Sequence, residues 1–495
     1  MEIRYKSTRS DAESISASQA ILQGLAPDGG LYVPCSIPSL DIELSQLAEM
    51  DYKEIAFIVM SRFLSDYTEE ELKDCIEKAY DSKFDTQQIA PVVKIGNAHY
   101  MELFHGATIA FKDMALSILP HLLTKAAKKN NISNDIVILT ATSGDTGKAA
   151  LAGFADVEGT RIIVFYPKGG VSHIQELQMI TQKGDNTCVI GVNGNFDDAQ
   201  TGVKKMFNDP ELKEILDKNG FQFSSANSIN IGRLVPQVAY YVWAYSRLIK
   251  DGSIKAGDAV NFVVPTGNFG NILAGFYAKL MGIPVHKLIC ASNENKVLYD
   301  FFKTGIYNRN RKFILTNSPS MDILISSNLE RLIYRVAGSS SEQNAAYMKA
   351  LSEKGVYTLN INQIAQLEDF VPGWADEAET LGQIRKIYES YGYVMDTHTA
   401  VASAVYDKYL AQSEDRTPSV IVSTASPYKF LTAVMTAIDG KYAGKDGMEL
   451  ITELESVSKT AVPGAIRDIM EADIRHDTVC DIDKMEAEVR KALNI

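Results

Sequence analysis

One lysine stands alone among apolar residues. In the stretch HGATIAFKDMAL, Lys112 and Asp113 are followed by no formal charge until Lys125. Steps of three, four and seven from Lys112 reach Ala115, Leu116 and Leu119, so in a helix the lysine shares an apolar stripe. Met114, Ile118 and Leu122 fill the other faces, and a helix apolar all round is a buried one. Burying an ammonium costs on the order of several kcal/mol unless it is paired or loses its proton. Most lysines avoid this by snorkelling into water. The alternative is a desolvated amine of lowered pKa, competent to form an imine with an aldehyde.

Three other stretches end a β-branched run and open a helix. ILTATSGDTGKAALAGF turns through Ser143, Gly144, Asp145, Thr146 and Gly147, a glycine turn and helix start suited to a carboxylate or phosphate. It is not a nucleotide P-loop, which requires glycine where Thr142 stands and serine or threonine where Ala149 stands. Ser143 or Asp145 taken singly could equally be a helix cap. NFVVPTGNFGNILAGF turns through Gly267, Asn268, Phe269, Gly270 and Asn271, a second phosphate cradle without the GxGxxG spacing of dinucleotide folds. In VIVSTASPYKF a strand ends near Thr424, and Ser426 followed by Pro427 reads as N-cap and first helical residue. Thr424 either satisfies backbone or offers a neutral hydroxyl to a ring nitrogen. A buried lysine, two anion cradles and a neutral hydroxyl together suggest pyridoxal phosphate held as an imine.

The elements that must position these residues follow an alternating rhythm from Ile132 onward. DIVILTAT, RIIVFYP, TCVIGVNG, AVNFVVPTG, HKLICASN and PSVIVSTAS are short continuous apolar runs, each followed by a helical pattern. That alternation predicts an α/β fold of mostly parallel sheets covered by helices, with ligands beyond the carboxyl ends of the strands. Residues 1–95 read as an N-terminal domain. Residues 96–440 read as a catalytic region of two α/β subdomains with an irregular excursion near 303–343. Residues 441–495 read as a helical, mixed-charge C-terminal segment.

The composition narrows the function. The 495 residues carry a formal net charge of −13, which argues against a nucleic-acid partner. Five scattered cysteines form no CxxC pair, and seven histidines show no ligand spacing, so no metal site and no disulfide framework is expected. The polar opening MEIRYKSTRSDAES lacks a secretory h-region, and no apolar run reaches membrane-spanning length, so a cytoplasmic protein with no membrane partner is expected.

The motifs jointly resemble the threonine synthase family. HGATIAFKDMAL is similar to its cofactor-lysine motif, and TSGDTG, PTGNFGN and STASPYKF to other site motifs. GLAPDGGLYVP, SSANSINIGRLVPQ, DTHTAVASAV and SPSMDILISSNLER extend the likeness over nearly the whole chain, the last resembling a feature of the longer branch. The resemblance implies a tryptophan-synthase-type, fold-type II pyridoxal-phosphate enzyme with an added N-terminal domain. It implies conversion of O-phospho-L-homoserine and water into L-threonine and phosphate through a pyridoxal phosphate imine on Lys112. It further implies that Gly267, Asn268, Phe269, Gly270 and Asn271 hold the cofactor phosphate and Thr424 faces the pyridine nitrogen. Ser143, Asp145 and Thr146 would lie along the substrate carboxylate and the ring hydroxyl. Asn227, Ser228, Asn230 and Arg233 would lie near the substrate phosphate, Arg233 being either its bidentate ligand or a surface salt bridge. The family often has proline where Ala107 and Thr397 stand. Asp396 or Thr399 is read as a helix cap, with His398 structural. The chain is expected to be a monomer or homodimer. The rival readings are a threonine dehydratase, a β-replacing sulfhydrylase, or a silent threonine-synthase-like binding protein.

Overall fold

The computed structural model describes residues 2–142, 144–171, 173–445 and 447–495. Two sheets organise the chain. The larger has six strands in the order β13 (Phe370–Trp374), β10 (Val285–Ser292), β9 (Val260–Pro265), β14 (Ser419–Ser423), β4 (Ala98–Glu102) and β3 (Val92–Ile95). Every neighbouring pair in it is parallel except the hairpin of β3 and β4. The second sheet runs β15 (Val479–Asp481), β7 (Thr187–Asn193), β6 (Thr160–Pro167), β5 (Asp135–Ala141) and β8 (Phe221–Ser224), all parallel. The central strands β9 and β14 are buried along their whole length, which is why they read as unbroken apolar runs. All six runs expected to be strands are strands.

Two elements depart from expectation. The helix proposed to start at Lys112 is two pieces, Asp113–Leu116 and Leu119–Lys129. Pro120 has no N–H to give the Leu116 carbonyl, so the ladder breaks there. Gly153 packs onto that carbonyl, where an added Cβ would lie 2.2 Å from the oxygen. The C-terminal segment, expected to be helical, also supplies β15. Only the middle residue of that strand, Cys480, is buried, so it leaves no apolar pattern to read. The excursion near 303–343 is irregular between β11 (Ile306–Asn308) and the helix Leu329–Val336, apart from one 3-10 turn at Pro319–Met321, and β11 pairs with β12 (Val356–Thr358). Asp322 pins it, accepting from the Thr316 amide at 2.9 Å and from the side chains of Thr316, Asn293 and Asn295 at 2.8 Å each.

The first part of the chain forms a two-stranded ribbon, β1 (Tyr5–Ser7) with β2 (Tyr32–Pro34), and helices Ala17–Gln23, Tyr52–Phe63 and Glu69–Ala79. Capping boxes at Ser16, Asp51 and Thr68 start these helices. Tyr52–Phe63 packs along the long helix Ile231–Lys250, with the Tyr52 ring edge-on to Trp243 at 5.7 Å. Arg9 forms a fork with Glu330, at 2.8 and 2.7 Å, tying the ribbon to the helix Leu329–Val336. Among the described residues no helix is long and apolar enough to cross a membrane.

Candidate active site

Lys112 sits at the head of the helix Asp113–Leu116 with its side chain 11% exposed. The loop before it is built by Asp113, whose carboxylate accepts from the Thr108 amide at 2.8 Å and the Thr108 hydroxyl at 2.5 Å. Gly106 closes against the same side chain, where an added Cβ would lie 2.6 Å from the Asp113 Cβ. The loop is then stitched to the end of β14: the Phe111 amide donates to the Thr424 carbonyl at 2.8 Å, and the Ser426 amide to Ile109 at 3.0 Å. Lys112 and Thr424, 312 positions apart, therefore adjoin. Thr424 lies just past its strand, and Ser426 caps the 3-10 turn that Pro427 opens, both as expected.

Lys112 Nζ donates to Oδ2 of Asp145 at 3.2 Å and to Oγ of Ser320 at 3.2 Å. Asp145 opens the helix Asp145–Phe154 but caps nothing. The N-cap is Gly144, and the Thr142 hydroxyl just upstream accepts from the Gly144 and Gly147 amides at 3.0 Å each. Oδ1 of Asp145 receives Lys429 at 3.0 Å and Gln175 at 3.0 Å. Burial pushes the Asp145 carboxyl up, but Lys112 and Lys429 outweigh it and hold the group well below the usual carboxylate range. Burial lowers the Lys112 amine, Asp145 opposes this, and the ammonium of Lys429 lowers it again. Buried Lys148 is likewise held well below the ordinary lysine range, first by desolvation and then by Lys429. Thr146 is half-buried beside Asp145. Ser143 lies outside the described residues.

The second glycine turn faces the same space. Phe269 adopts φ 65° and the helix Gly270–Leu280 starts after it without a side-chain cap, so its first amides have no intrahelical acceptor. Gly267 is required: a Cβ there would lie 2.5 Å from the Ser320 carbonyl oxygen. The exposed Asn268 gives its carbonyl to the Asn328 amide at 3.0 Å, and the Gly267 carbonyl accepts from Ser326 at 2.6 Å. Asn271 accepts from the Tyr240 and Tyr241 hydroxyls at 2.8 and 2.6 Å, while its Nδ2 is buried without a partner.

Arg233 is no surface salt bridge. It is 3% exposed on the helix Ile231–Lys250, with one amine on the Ala226 carbonyl at 3.0 Å and Nε unpartnered. No carboxylate among the described residues pairs with it, and desolvation pulls the guanidinium down to about 10. Its charge is felt at Lys112. The Asn230 side chain is occupied within the protein. Its oxygen caps that helix on Gly232 at 2.8 Å, and its amide donates to Ile21 at 2.9 Å, so capping and N-terminal packing consume it. Asn227 is exposed and Ser228 half-buried on the loop before it.

Sequence reading gave no site role to Ser320, Lys429 or Lys148, and it read His398 as structural. Lys148 carried a signal of its own as a lone charge inside GKAALAGF. Asp396 caps the helix Thr397–Gln412, as expected, but His398 does more than pack: its Nε2 accepts the Ser320 amide at 3.1 Å. Among the described residues no cluster of three His, Cys, Asp or Glu could hold a metal.

Known proteins match this arrangement from end to end. A family model described as Threonine synthase N terminus matches residues 4–80, one described as Pyridoxal-phosphate dependent enzyme matches 99–362, and one described as Threonine synthase, C-terminal matches 399–490. Threonine synthase of Saccharomyces cerevisiae is 37% identical over 467 residues, covering 88% of this chain and 89% of that protein. The chain belongs to the threonine synthase family. The crystal structure of PLP-bound threonine synthase from Brucella melitensis superposes with a TM-score of 0.89 at 33% identity over 100% of both chains. That of the yeast threonine synthase gives 0.89 at 33% identity over 99% of both. The fold is thus the fold-type II pyridoxal-phosphate fold with the N-terminal addition of threonine synthases, and pyridoxal phosphate is the family's cofactor. Threonine synthase-like 1 of Homo sapiens is 42% identical over 435 residues, 85% of this chain, and the chain spans 58% of that protein's length.

Proposed function

We propose that this chain converts O-phospho-L-homoserine and water into L-threonine and phosphate, with pyridoxal phosphate bound at Lys112. The donor set fits that cofactor: a low-pKa amine for the aldehyde, uncapped amides at Gly270–Leu280 and the free Nδ2 of Asn271 for the phosphate, and a Thr424 hydroxyl with no described partner for the ring nitrogen. Pyridoxal phosphate, when bound, supplies an electron sink for charge left at carbon next to the substrate amine. The chain supplies the rest. Lys112 Nζ, whose hold on its proton burial weakens, carries protons between substrate carbons, and Asp145 and Ser320 orient it. Thr424 offers a hydroxyl and no carboxylate, so the ring nitrogen gains no full counter-charge.

The observation that carries the reading is Arg233. Its buried guanidinium, lacking an acid, supports a second anion site separate from the Gly270 helix end, as a substrate that sheds phosphate requires. The five unpaired cysteines support a cytoplasmic setting. The test is phosphate release from O-phospho-L-homoserine by the purified chain, with Lys112→Ala as the control that loses both turnover and the visible cofactor band. The likeness to Threonine synthase-like 1 favours a second reading, cofactor and ligand binding without turnover. Borohydride trapping of the cofactor on Lys112 without any phosphate release would establish it.

A further inference from the structure

Two lysine side chains share one buried carboxylate. Lys112 takes Oδ2 of Asp145 at 3.2 Å, and Lys429 takes Oδ1 at 3.0 Å. Lys429 is 1% exposed, shielded from solvent, and its Nζ also meets the Thr108 carbonyl at 3.5 Å. Lys148 donates to that same carbonyl at 3.3 Å and to Gln178. Asp113, a second buried acid in this loop, is taken up by Thr108. The titratable groups around the pair are thus Lys112, Lys429, Lys148, Arg233, Asp145 and Asp113, with His398 and its partner Asp396 behind Ser320.

This arrangement answers a difficulty in the proposed chemistry, and the inference rests on that reading of Lys112. The amine has to work without its proton. A carboxylate paired with Lys112 alone would hold the proton on the amine. Once that charge left, the same carboxylate would be stranded as a buried anion and would take up a proton itself. A second ammonium on the opposite oxygen removes both problems. We propose that Lys429 is a positioning residue: by holding Oδ1 of Asp145 it keeps the carboxylate ionised while Lys112 gains and loses charge at Oδ2, and so favours the free amine on Lys112.

The experiment measures labelling of Lys112 Nζ by trinitrobenzenesulfonate across about pH 6 to 11, a range that includes the ordinary lysine value of about 10.4, on the full-length cofactor-free chain, with peptide mass spectrometry as the readout. Lys429→Gln is expected to slow labelling near pH 8 by about tenfold, within the range of a nearby charge at intermediate dielectric. Lys429→Arg restores the parent rate, and Asp145→Asn, which removes the proton-holding charge, labels faster than the parent. Unchanged labelling in a Lys429→Gln chain that unfolds at the parent temperature overturns the proposal. If Lys429→Gln does not fold, unchanged or slower labelling of Asp145→Asn overturns it instead. Loading the parent with pyridoxal phosphate must abolish labelling of Lys112. Labelling that persists there defeats the cofactor-lysine reading while leaving the Lys429 comparison to stand or fall by itself.

Discussion

Oγ of Ser320 donates to Oδ2 of Asp145 at 2.9 Å, across 175 residues of sequence. The same oxygen accepts from Lys112, and the Ser320 amide donates to His398 Nε2, whose Nδ1 faces Asp396 at 2.8 Å. Because Nε2 accepts, the ring proton belongs on Nδ1, and the Asp396 carboxylate holds that tautomer. The irregular segment around Ser320 is thereby clamped between the amine and the helix Thr397–Gln412. Its carbonyl closes on Gly267 from the other side.

Ser320→Ala removes one shared partner from both Lys112 and Asp145 and leaves their direct contact. A lost hydrogen bond to a charged group is worth about 1.5–3 kcal/mol. The expected result is a fall in kcat of about tenfold or more in the phosphate-release assay, with little change in Tm.

Arg233→Ala is expected to raise KM for O-phospho-L-homoserine by about thirtyfold, on the scale of one charged hydrogen bond, and to leave cofactor affinity unchanged. Arg233→Lys is not expected to restore KM, since a single ammonium lacks the planar fork. Spectral titration with pyridoxal phosphate separates the two anion sites: weaker cofactor binding in Arg233→Ala would assign Arg233 to the cofactor.

Gly267→Ala places a methyl 2.5 Å from the Ser320 carbonyl oxygen. Backbone cannot yield there as a flexible side chain would. Overpacking of this kind costs about 1–3 kcal/mol. Lower Tm together with a weaker cofactor titration is the expected pair of changes, because the glycine turn and the Ser320 segment move apart together.

His105 bridges Asp85 at 2.6 Å and Glu102 at 3.0 Å, just upstream of the loop that leads to Lys112. Burial pushes its imidazolium down, but Asp85 and Glu102 outweigh this and push it up to about 9. A histidine raised in the folded state stabilises fully below its unfolded value near 6.5 and loses that contribution as pH rises to about 9. Denaturant melts between those limits are expected to lose stability on the order of 2–3 kcal/mol, and His105→Gln is expected to flatten that slope.

The parallel strands are legible in the sequence because burial on both faces leaves unbroken Val and Ile runs, as in β9 and β14. The break at Leu116–Leu119 was within reach too, since Pro120 cannot continue a ladder. β15 was not, because a three-residue edge strand with one buried side chain has no periodicity. Asn230 shows what motif reading leaves out. It stands inside a motif that resembles a ligand site, but its amide is spent on Ile21, a contact set by how the N-terminal helix docks.

Sequence alone determined that Lys112 lies among apolar residues, that two glycine turns open helices after buried strands, and that Thr424 follows a third strand. Each is a local pattern, imposed by hydrophobic burial or by backbone freedom within a few residues. Only the tertiary structure decided which charges meet. Lys112, Asp145, Ser320 and Lys429 come from four separate elements, and a buried ion pair depends on distances of about 3 Å that the docking of whole elements sets and no local pattern encodes.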